Sequence, residues 1–267
     1  MKRTYTINSI IFFLLLLFCG NSCMSIKEEL WANEDGSGKY HMAIDMSQAL
    51  DFIGMMGGME DDQSEDETEA KDPMSDIFKR IEKGTFSGDT IINSNDLIAE
   101  SKAKGEENDI PKDMKMKVHY DKEKSEMDIT FMFDFKSLVD LNKNDFFSGD
   151  KGFLKEMGGP GTDAVAKLDY SLDKKKFVRK GIDMSSSNIL GSKGDDGSAD
   201  MMMGLFSNTT FTSVYHLPQK VKSANNPDAV IDGKTVTIEI PMKELMAAKK
   251  TPDLEVKFKR KKFLGIF

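Results

Sequence analysis

Apolar and polar residues alternate in three similar stretches of the chain, at residues 28–53, 115–141 and 210–248. Each stretch begins with two runs of alternating residues, and Val236 and Ile238 show the spacing. A period of two indicates a strand with one buried face and one solvated face. Turn-forming residues separate the two runs, and a short helix-like segment follows the second. We therefore predict three ββα units.

Two further stretches have strand character. Residues 167–182 predict a hairpin, and residues 254–263 predict a last strand. The chain then has about nine strands, mostly paired with sequence neighbours, and three or four short helices. We predict an α+β fold, with a mostly antiparallel sheet built from the ββα units, short helices packed on one face and long disordered loops.

Polar stretches separate these units. Residues 57–72 carry eight acids and one lysine, a composition that cannot bury enough apolar surface to fold. Residues 184–200 are rich in serine, glycine and charge. We expect a signal peptide at residues 1–22 and a single domain at residues 23–267. Within this domain we expect the first unit at 23–56, an acidic and polar insertion that is largely flexible and contains a short helix at 57–113, and the second unit with the hairpin at 114–183. A flexible segment at 184–207 and the third unit with the last strand at 208–267 complete the domain.

The N-terminus predicts export. Lys2 and Arg3 precede an unbroken apolar run at residues 10–18. A charged start followed by a short apolar run is typical of a secretory signal. Nine helical residues cover only about half of a hydrocarbon core of roughly 30 Å. We therefore favour a signal peptide over a membrane-spanning helix.

The small residues Gly20, Asn21 and Ser22 come directly before Cys23. This stretch resembles the lipobox of bacterial lipoproteins, although Gly20 stands where that family usually has leucine. Cys19 follows the bulky Phe18, so Cys23 is the better acceptor. The resemblance implies a diacylated Cys23 as the mature N-terminus, carrying palmitate-type chains and anchored to the outer membrane on its periplasmic face or at the cell surface. A cleaved signal without lipid and an uncleaved anchor are the alternatives.

The net charge and the cysteine content exclude some kinds of partner and site. The chain carries a net charge of −8, and a nucleic-acid partner would require a basic face, so we expect none. Beyond Cys23 there is no other cysteine, which excludes disulfides and thiolate sites in the mature chain. The charged stretch at residues 27–29 resembles the signal that sends some Bacteroidota lipoproteins to the surface, and it also fits the start of a strand.

No catalytic motif is present in the sequence. His41, His119 and His216 lie in different predicted strands, so we interpret them as ordinary strand residues and expect no metal or cofactor. Asp45 and Asp134 follow strands in equivalent positions, where they would cap helices. A hydrolase built from these two carboxylates is the less favoured alternative.

Three further segments have more than one interpretation. Residues 33–38 resemble a calcium loop only superficially, because Trp31 and Met42 would occupy the first and twelfth ligand positions; a hairpin turn explains them. The methionine groups at 55–59 and 201–203 fit packing, a flexible binding surface or Cu(I) ligation. The basic segment 257–262 fits a strand with a lysine-rich wet face or contact with anionic lipid headgroups.

Residues 215–221, YHLPQKV, and 232–236, DGKTV, resemble the end of LppM-type envelope lipoproteins. The soluble part of the chain is also similar to the soluble domains of some Bacteroidota lipoproteins. The resemblance implies an α+β envelope domain that interacts with lipid, and it supplies no catalytic residues. We predict a membrane-anchored envelope lipoprotein acting as a non-enzymatic binding or structural module. A protein that binds a lipid or other amphiphile between its sheet and helices is the first alternative.

Overall fold

The chain has an α+β fold, seen in a computed structural model that describes residues 25–47, 73–103, 110–143, 169–181, 209–248 and 250–259. These ranges contain twelve strands: β1 Ser25–Ala32, β2 Gly38–Asp45, β3 Gly88–Asn93, β4 Lys115–Asp121, β5 Glu126–Phe135, β6 Tyr170–Leu172, β7 Lys176–Arg179, β8 Thr210–His216, β9 Val221–Ala224, β10 Val230–Asp232, β11 Thr235–Pro241 and β12 Leu254–Phe258. They also contain four helices: α1 Pro73–Glu82, α2 Ser94–Ala103, α3 Leu138–Asn142 and α4 Met242–Ala248.

Eight strands form the large sheet, in the order β10-β11-β8-β1-β2-β5-β4-β3. The strand pairs of all three predicted units lie side by side in it: β8 with β11, β1 with β2, and β4 with β5. All neighbours are antiparallel except β1 and β8, which run parallel with Leu30 opposite Tyr215. Strand β1 therefore lies in the interior of the sheet and joins the first unit to the third.

One face of the large sheet is apolar and buried. Leu30, Tyr40 and Tyr215 are fully buried there, and so is Phe131 from the second unit. Alternate residues of the same strands point to the opposite face, which is polar and half-exposed. We call these the inner and outer faces, and the predicted alternation is confirmed.

A second sheet covers part of the inner face. It has four strands in the order β6-β7-β12-β9 and contains the predicted hairpin and the last strand. Phe177 of β7 packs against Tyr215, with ring centroids 5.2 Å apart. Val256 of β12 is fully buried in the same core. The prediction placed only helices on this face, whereas in the structure a small sheet and helices cover it together.

The helices complete the core at its margins. Ile77 of α1 and Leu97 of α2 are buried within it. Helix α3 is capped by Ser137, whose hydroxyl accepts a hydrogen bond from the backbone N–H of Asp140 at 3.1 Å. The range 57–113, predicted to be largely flexible with one short helix, contains two helices and the edge strand β3. The helix predicted after β2 lies outside the described residues.

Two glycines are required where β1 turns into β2. Gly36 has a φ of +85°, a conformation that costs glycine little and other residues more. A Cβ on Gly38 would lie 1.9 Å from the carbonyl oxygen of Trp31, so only glycine permits that approach. Within the turn, the Asp35 carboxylate accepts hydrogen bonds from the backbone N–H and hydroxyl of Ser37 at 3.0 and 2.7 Å. The hairpin-turn interpretation of residues 33–38 agrees with this geometry.

Candidate functional site

The predicted lipidation residue, Cys23, lies outside the described residues, but its distance from the fold is limited by the start of β1. Strand β1 begins at Ser25, which is registered opposite Thr210 of β8. Two extended residues span at most about 7 Å. If Cys23 is acylated, the lipid is therefore attached within about 7 Å of the start of β1, a central strand of the large sheet. Among the described residues, no helix combines the length and apolar character needed to cross a membrane.

Between the two sheets lies a buried ion pair formed by Glu28 of β1 and Arg179 of β7. The Arg179 Nη2 atom is 3.2 Å from Glu28 Oε2, and their side chains are 12% and 1% exposed. Three hydroxyls complete the cluster by donating to the same carboxylate. They belong to Tyr170, to Ser213 at 3.1 Å and to Tyr215 at 3.5 Å. We call these five residues the Glu28 cluster.

The electrostatics of the Glu28 cluster follow from its burial. Burial alone disfavours a charged guanidinium, but the Glu28 carboxylate more than compensates and raises the pKa of Arg179. Burial raises the pKa of Tyr215 as well, so its hydroxyl stays protonated and can donate. Burial, followed by the nearby Glu28 charge, raises the pKa of Tyr40 well above its ordinary value. Arg179 thus keeps its charge and Tyr215 keeps its proton, so both side chains can donate to Glu28.

Sequence reasoning missed this cluster, since it treated residues 27–29 as a charged stretch at the start of a strand. In the structure this stretch belongs to β1, with Glu28 on the inner face and Glu29 on the outer face. The available signal was position: Glu28 shares its alternation with Ile26 and Leu30, both of which are buried. Its partner Arg179 is too distant in sequence to be found from that pattern.

On the outer face, Glu29 links neighbouring strands. Its carboxylate lies 2.8 Å from Lys27 Nζ and 2.8 Å from His216 Nε2. The other ring nitrogen of His216 is 3.3 Å from the hydroxyl of Thr235. Burial would raise the pKa of Glu29, but hydrogen bonds with Lys27 and His216 lower it overall. Sequence reasoning did not bring these groups together, because they come from β1, β8 and β11.

Trp31 stands between two of the three histidines. Its ring stacks on His216 at a centroid distance of 4.8 Å and an angle of 10°. His41 meets it edge-on at 4.6 Å and 62°. Burial lowers the pKa of His41, which favours its neutral form. The histidines were predicted to be ordinary strand residues, and the structure places two of them in contact with one aromatic side chain.

The third histidine, His119, lies further along the outer face. Its Nδ1 atom is 2.6 Å from Asp89 of the edge strand β3, and Lys117 Nζ is 2.9 Å from the same carboxylate. These bonds lower the pKa of Asp89. Asp128, opposite His119, has its pKa raised by burial and then by the charge of Asp45. Among the described residues, no group of three or more His, Cys, Asp or Glu side chains is arranged to hold a metal ion.

The two carboxylates considered for a hydrolase lie far apart. Asp45 is registered opposite Asp128, whereas Asp134 is six residues further along β5, a separation of about 20 Å. Asp45 accepts a hydrogen bond from the backbone N–H of Ser47 at 2.9 Å, and the helix that it was predicted to cap lies outside the described residues. After Asp134, the cap of α3 is Ser137 instead. The two acids do not form one site.

Two predicted segments are only partly described. The methionine groups at 55–59 and 201–203 lie outside the described residues, whereas Met42, Met116 and Met127 are buried in the core. The basic segment begins as the strand β12, in which Val256 and Phe258 are buried and Lys257 is exposed. Residues 260–262 lie outside the described part of the chain.

Comparisons with known proteins give one match of low similarity. No protein-family model matches the chain, and no curated protein matches it. Among solved structures, the NMR structure of the folded domain of LppM from Mycobacterium tuberculosis has 9% sequence identity and a TM-score of 0.37. The match covers 88% of this chain and 89% of the LppM domain.

Proposed function

We propose that this chain is a lipoprotein of the bacterial cell envelope, held in the outer membrane by acyl chains on Cys23. Its folded body acts as a non-enzymatic binding or structural module. Gly20, Asn21 and Ser22 provide the small residues that precede the acylated cysteine in a lipobox. Multiple acyl chains hold a protein firmly, whereas a single chain gives only marginal binding.

The observation that carries the proposal is the position of β1. Cleavage between Ser22 and Cys23 would leave the whole of β1 intact, because its first residue is Ser25. The lipid would then be attached next to a central strand and not at the end of a long flexible segment. We infer that the body is held directly against the membrane surface.

The chemistry of the described residues supports a non-enzymatic body. Glu28, the most deeply buried carboxylate, is engaged by Arg179 and three hydroxyls between the sheets. On the outer face, Glu29 is engaged by Lys27 and His216. These contacts link strands and sheets, so each of these charged residues has a structural role in the fold.

Metabolic labelling tests the proposal. Radiolabelled palmitate is supplied to the native host, and incorporation is compared between wild type, Cys23→Ala and Cys19→Ala. We expect label in the wild type and in Cys19→Ala, and none in Cys23→Ala. Label that is lost only in Cys19→Ala would show that Cys19 is the acylated residue. No label in any of the three proteins would overturn the lipoprotein assignment. Membrane fractionation, followed by protease treatment of intact cells, then tests the outer membrane and its face.

A further inference from the structure

The small sheet has a lysine-rich end that is formed by three separate parts of the chain. The backbone N–H of Phe258, at the end of β12, donates to the carbonyl of Lys175 in the β6–β7 turn at 2.9 Å. The N–H of Lys259 donates to the carbonyl of Lys220, just before β9, at 2.8 Å. These bonds hold seven lysines together, which we call the lysine end: Lys174, Lys175, Lys176, Lys220, Lys222, Lys257 and Lys259.

The lysine end carries a clear positive excess. Its seven lysines are accompanied by two acids of the same strands and turn, Asp173 and Glu255. The exposed Asp173 carboxylate accepts hydrogen bonds from the backbone N–H groups of Lys175 and Lys176 at 2.6 and 2.8 Å. Glu255 pairs with Lys176 at 2.7 Å and with Lys257 at 3.4 Å. The remaining lysines are exposed to solvent.

This surface contrasts with the rest of the protein. The whole chain has a net charge of −8, so the positive charge of the lysine end is concentrated against an acidic background. In sequence, three further basic residues follow Lys259 directly, at positions 260–262. Clustered lysines that can reach a membrane surface attract its anionic lipid headgroups. The acidic remainder of the chain would be repelled by the same surface.

Two lysines of the small sheet, Lys176 and Lys257, point away from the large sheet. The hydroxyl of Tyr170 reaches Glu28 in the large sheet, so Ser171, the next residue, faces away from that sheet. Lys176 precedes the buried Phe177, and Lys257 lies between two buried residues, so both also face away. The outer surface of the small sheet, which faces away from the large sheet, is therefore positively charged and open to contact with a partner.

We propose that the lysine end and the adjoining outer surface of the small sheet dock on the anionic headgroups of the membrane. The lysine end adjoins the β10–β11 turn, where the N–H of Val221 donates to the carbonyl of Gly233 at 2.9 Å. That turn is at the opposite end of the large sheet from Ser25, about 20 Å away along the strands. Contact at both places lays the body on its side, with its strands along the membrane surface.

The proposal rests on the proposed anchor at Cys23, and the test separates the two. Mature protein is reconstituted into vesicles of 40% phosphatidylglycerol and 60% phosphatidylcholine, or of phosphatidylcholine alone, after mass spectrometry has established whether Cys23 carries lipid. Protein without lipid is attached to the same vesicles through a histidine tag at residue 24 and a nickel-chelating lipid. Failure of lipidation thus overturns the proposed anchor and still leaves the orientation measurable.

Orientation is read from a fluorophore on a single introduced cysteine. Ser171→Cys places it on the outer surface of the small sheet, and Asn93→Cys places it on the outer face of the large sheet. Headgroup spin labels quench a fluorophore only at close range. We expect about twofold stronger quenching at position 171 on anionic than on neutral vesicles, and no such difference at position 93. High salt should abolish the difference, because it screens exposed charges.

A charge-neutralised variant tests the lysines themselves. Lys174→Gln, Lys175→Gln and Lys259→Gln together remove three exposed charges and leave both partners of Glu255 in place. The matched control removes three lysines elsewhere: Lys39→Gln, Lys115→Gln and Lys136→Gln. We expect quenching at position 171 to fall to its neutral-vesicle value in the first variant only. Equal quenching in both variants would overturn the proposal. So would lysine-dependent binding to purified peptidoglycan without headgroup contact, which would assign the surface to a wall polymer.

Discussion

Glu28 and Glu29 are neighbours in β1, yet the two faces of the large sheet treat them very differently. Glu28 points inward, is fully buried, and meets Arg179 across the space between the sheets. Glu29 points outward, keeps partial contact with solvent, and pairs with Lys27 and His216. Water can replace the partners of Glu29 but not those of Glu28. The inner cluster should therefore be essential to folding, whereas the outer one adjusts stability only slightly.

The sharpest test of this comparison replaces each carboxylate in turn. Glu28→Gln leaves the Arg179 charge buried without its counterion, and removing one partner of such a pair costs about 3–5 kcal/mol. Glu29→Gln should cost less than about 1 kcal/mol, because solvent still reaches this partly exposed ion pair and screens it. Urea unfolding followed by circular dichroism measures both. Similar losses in the two variants would contradict the contrast between the faces.

Removing both members of the buried pair should cost less than the sum of the two single replacements. Glu28→Met with Arg179→Met leaves no unpaired buried charge, although three hydroxyls lose their acceptor. We expect a coupling free energy of about 2–3 kcal/mol in a double-mutant cycle. Additive losses would show that the pair does not act as a unit across the two sheets.

Trp31→Ala tests the aromatic contacts of the outer face. The ring is half-exposed and packs against His41 and His216, so we expect a loss of about 1–2 kcal/mol. Since Trp31 is the only tryptophan in the chain, unfolding must be followed by circular dichroism. Ile91→Ala, at an exposed position of the same face, is the control and should stay within about 0.5 kcal/mol of wild type. A loss no larger at Trp31 than at Ile91 would count against the ring contacts.

The smallest expected effect concerns pH. Burial lowers the pKa of His41, so below the usual histidine value of about 6.5 the unfolded chain binds a proton that the folded chain does not. Stability therefore falls as the pH falls from that value towards the lowered one. His41→Gln should flatten the dependence of the unfolding free energy on pH between about 6.5 and 5. Met132→Gln, registered opposite His41, should leave the slope unchanged.

Much of the fold was predictable because it is local. The hairpins of the first and second units, the turn at residues 33–38 and the hairpin at 167–182 all depend on alternation and turn residues within short stretches. The parallel pairing of β1 with β8 was not predictable, since no local pattern relates Ser25 to Thr210. The small sheet was missed for the same reason, because β7 and β12 are distant in sequence.

The candidate sites were harder to predict than the fold. In β1 the alternating set that contains Glu28 is otherwise apolar, so the burial of this side chain was predictable from the sequence. Its partners were not, because Arg179 and the three hydroxyls come from strands that are distant in sequence. The lysine end has the same origin, because its residues come from the β6–β7 turn, the start of β9 and the end of β12.

On the proposed route of export, the parallel pairing of β1 with β8 also sets the order in which the chain can fold. A secreted chain emerges with its N-terminus first, so β1 and β2 form their hairpin while β8 is still inside the cell. The large sheet stays open on one side until residues 210–216 arrive, and such long-range pairing slows folding and exposes strand edges to aggregation. If Cys23 is acylated early, the growing sheet would complete itself while already fixed at the membrane.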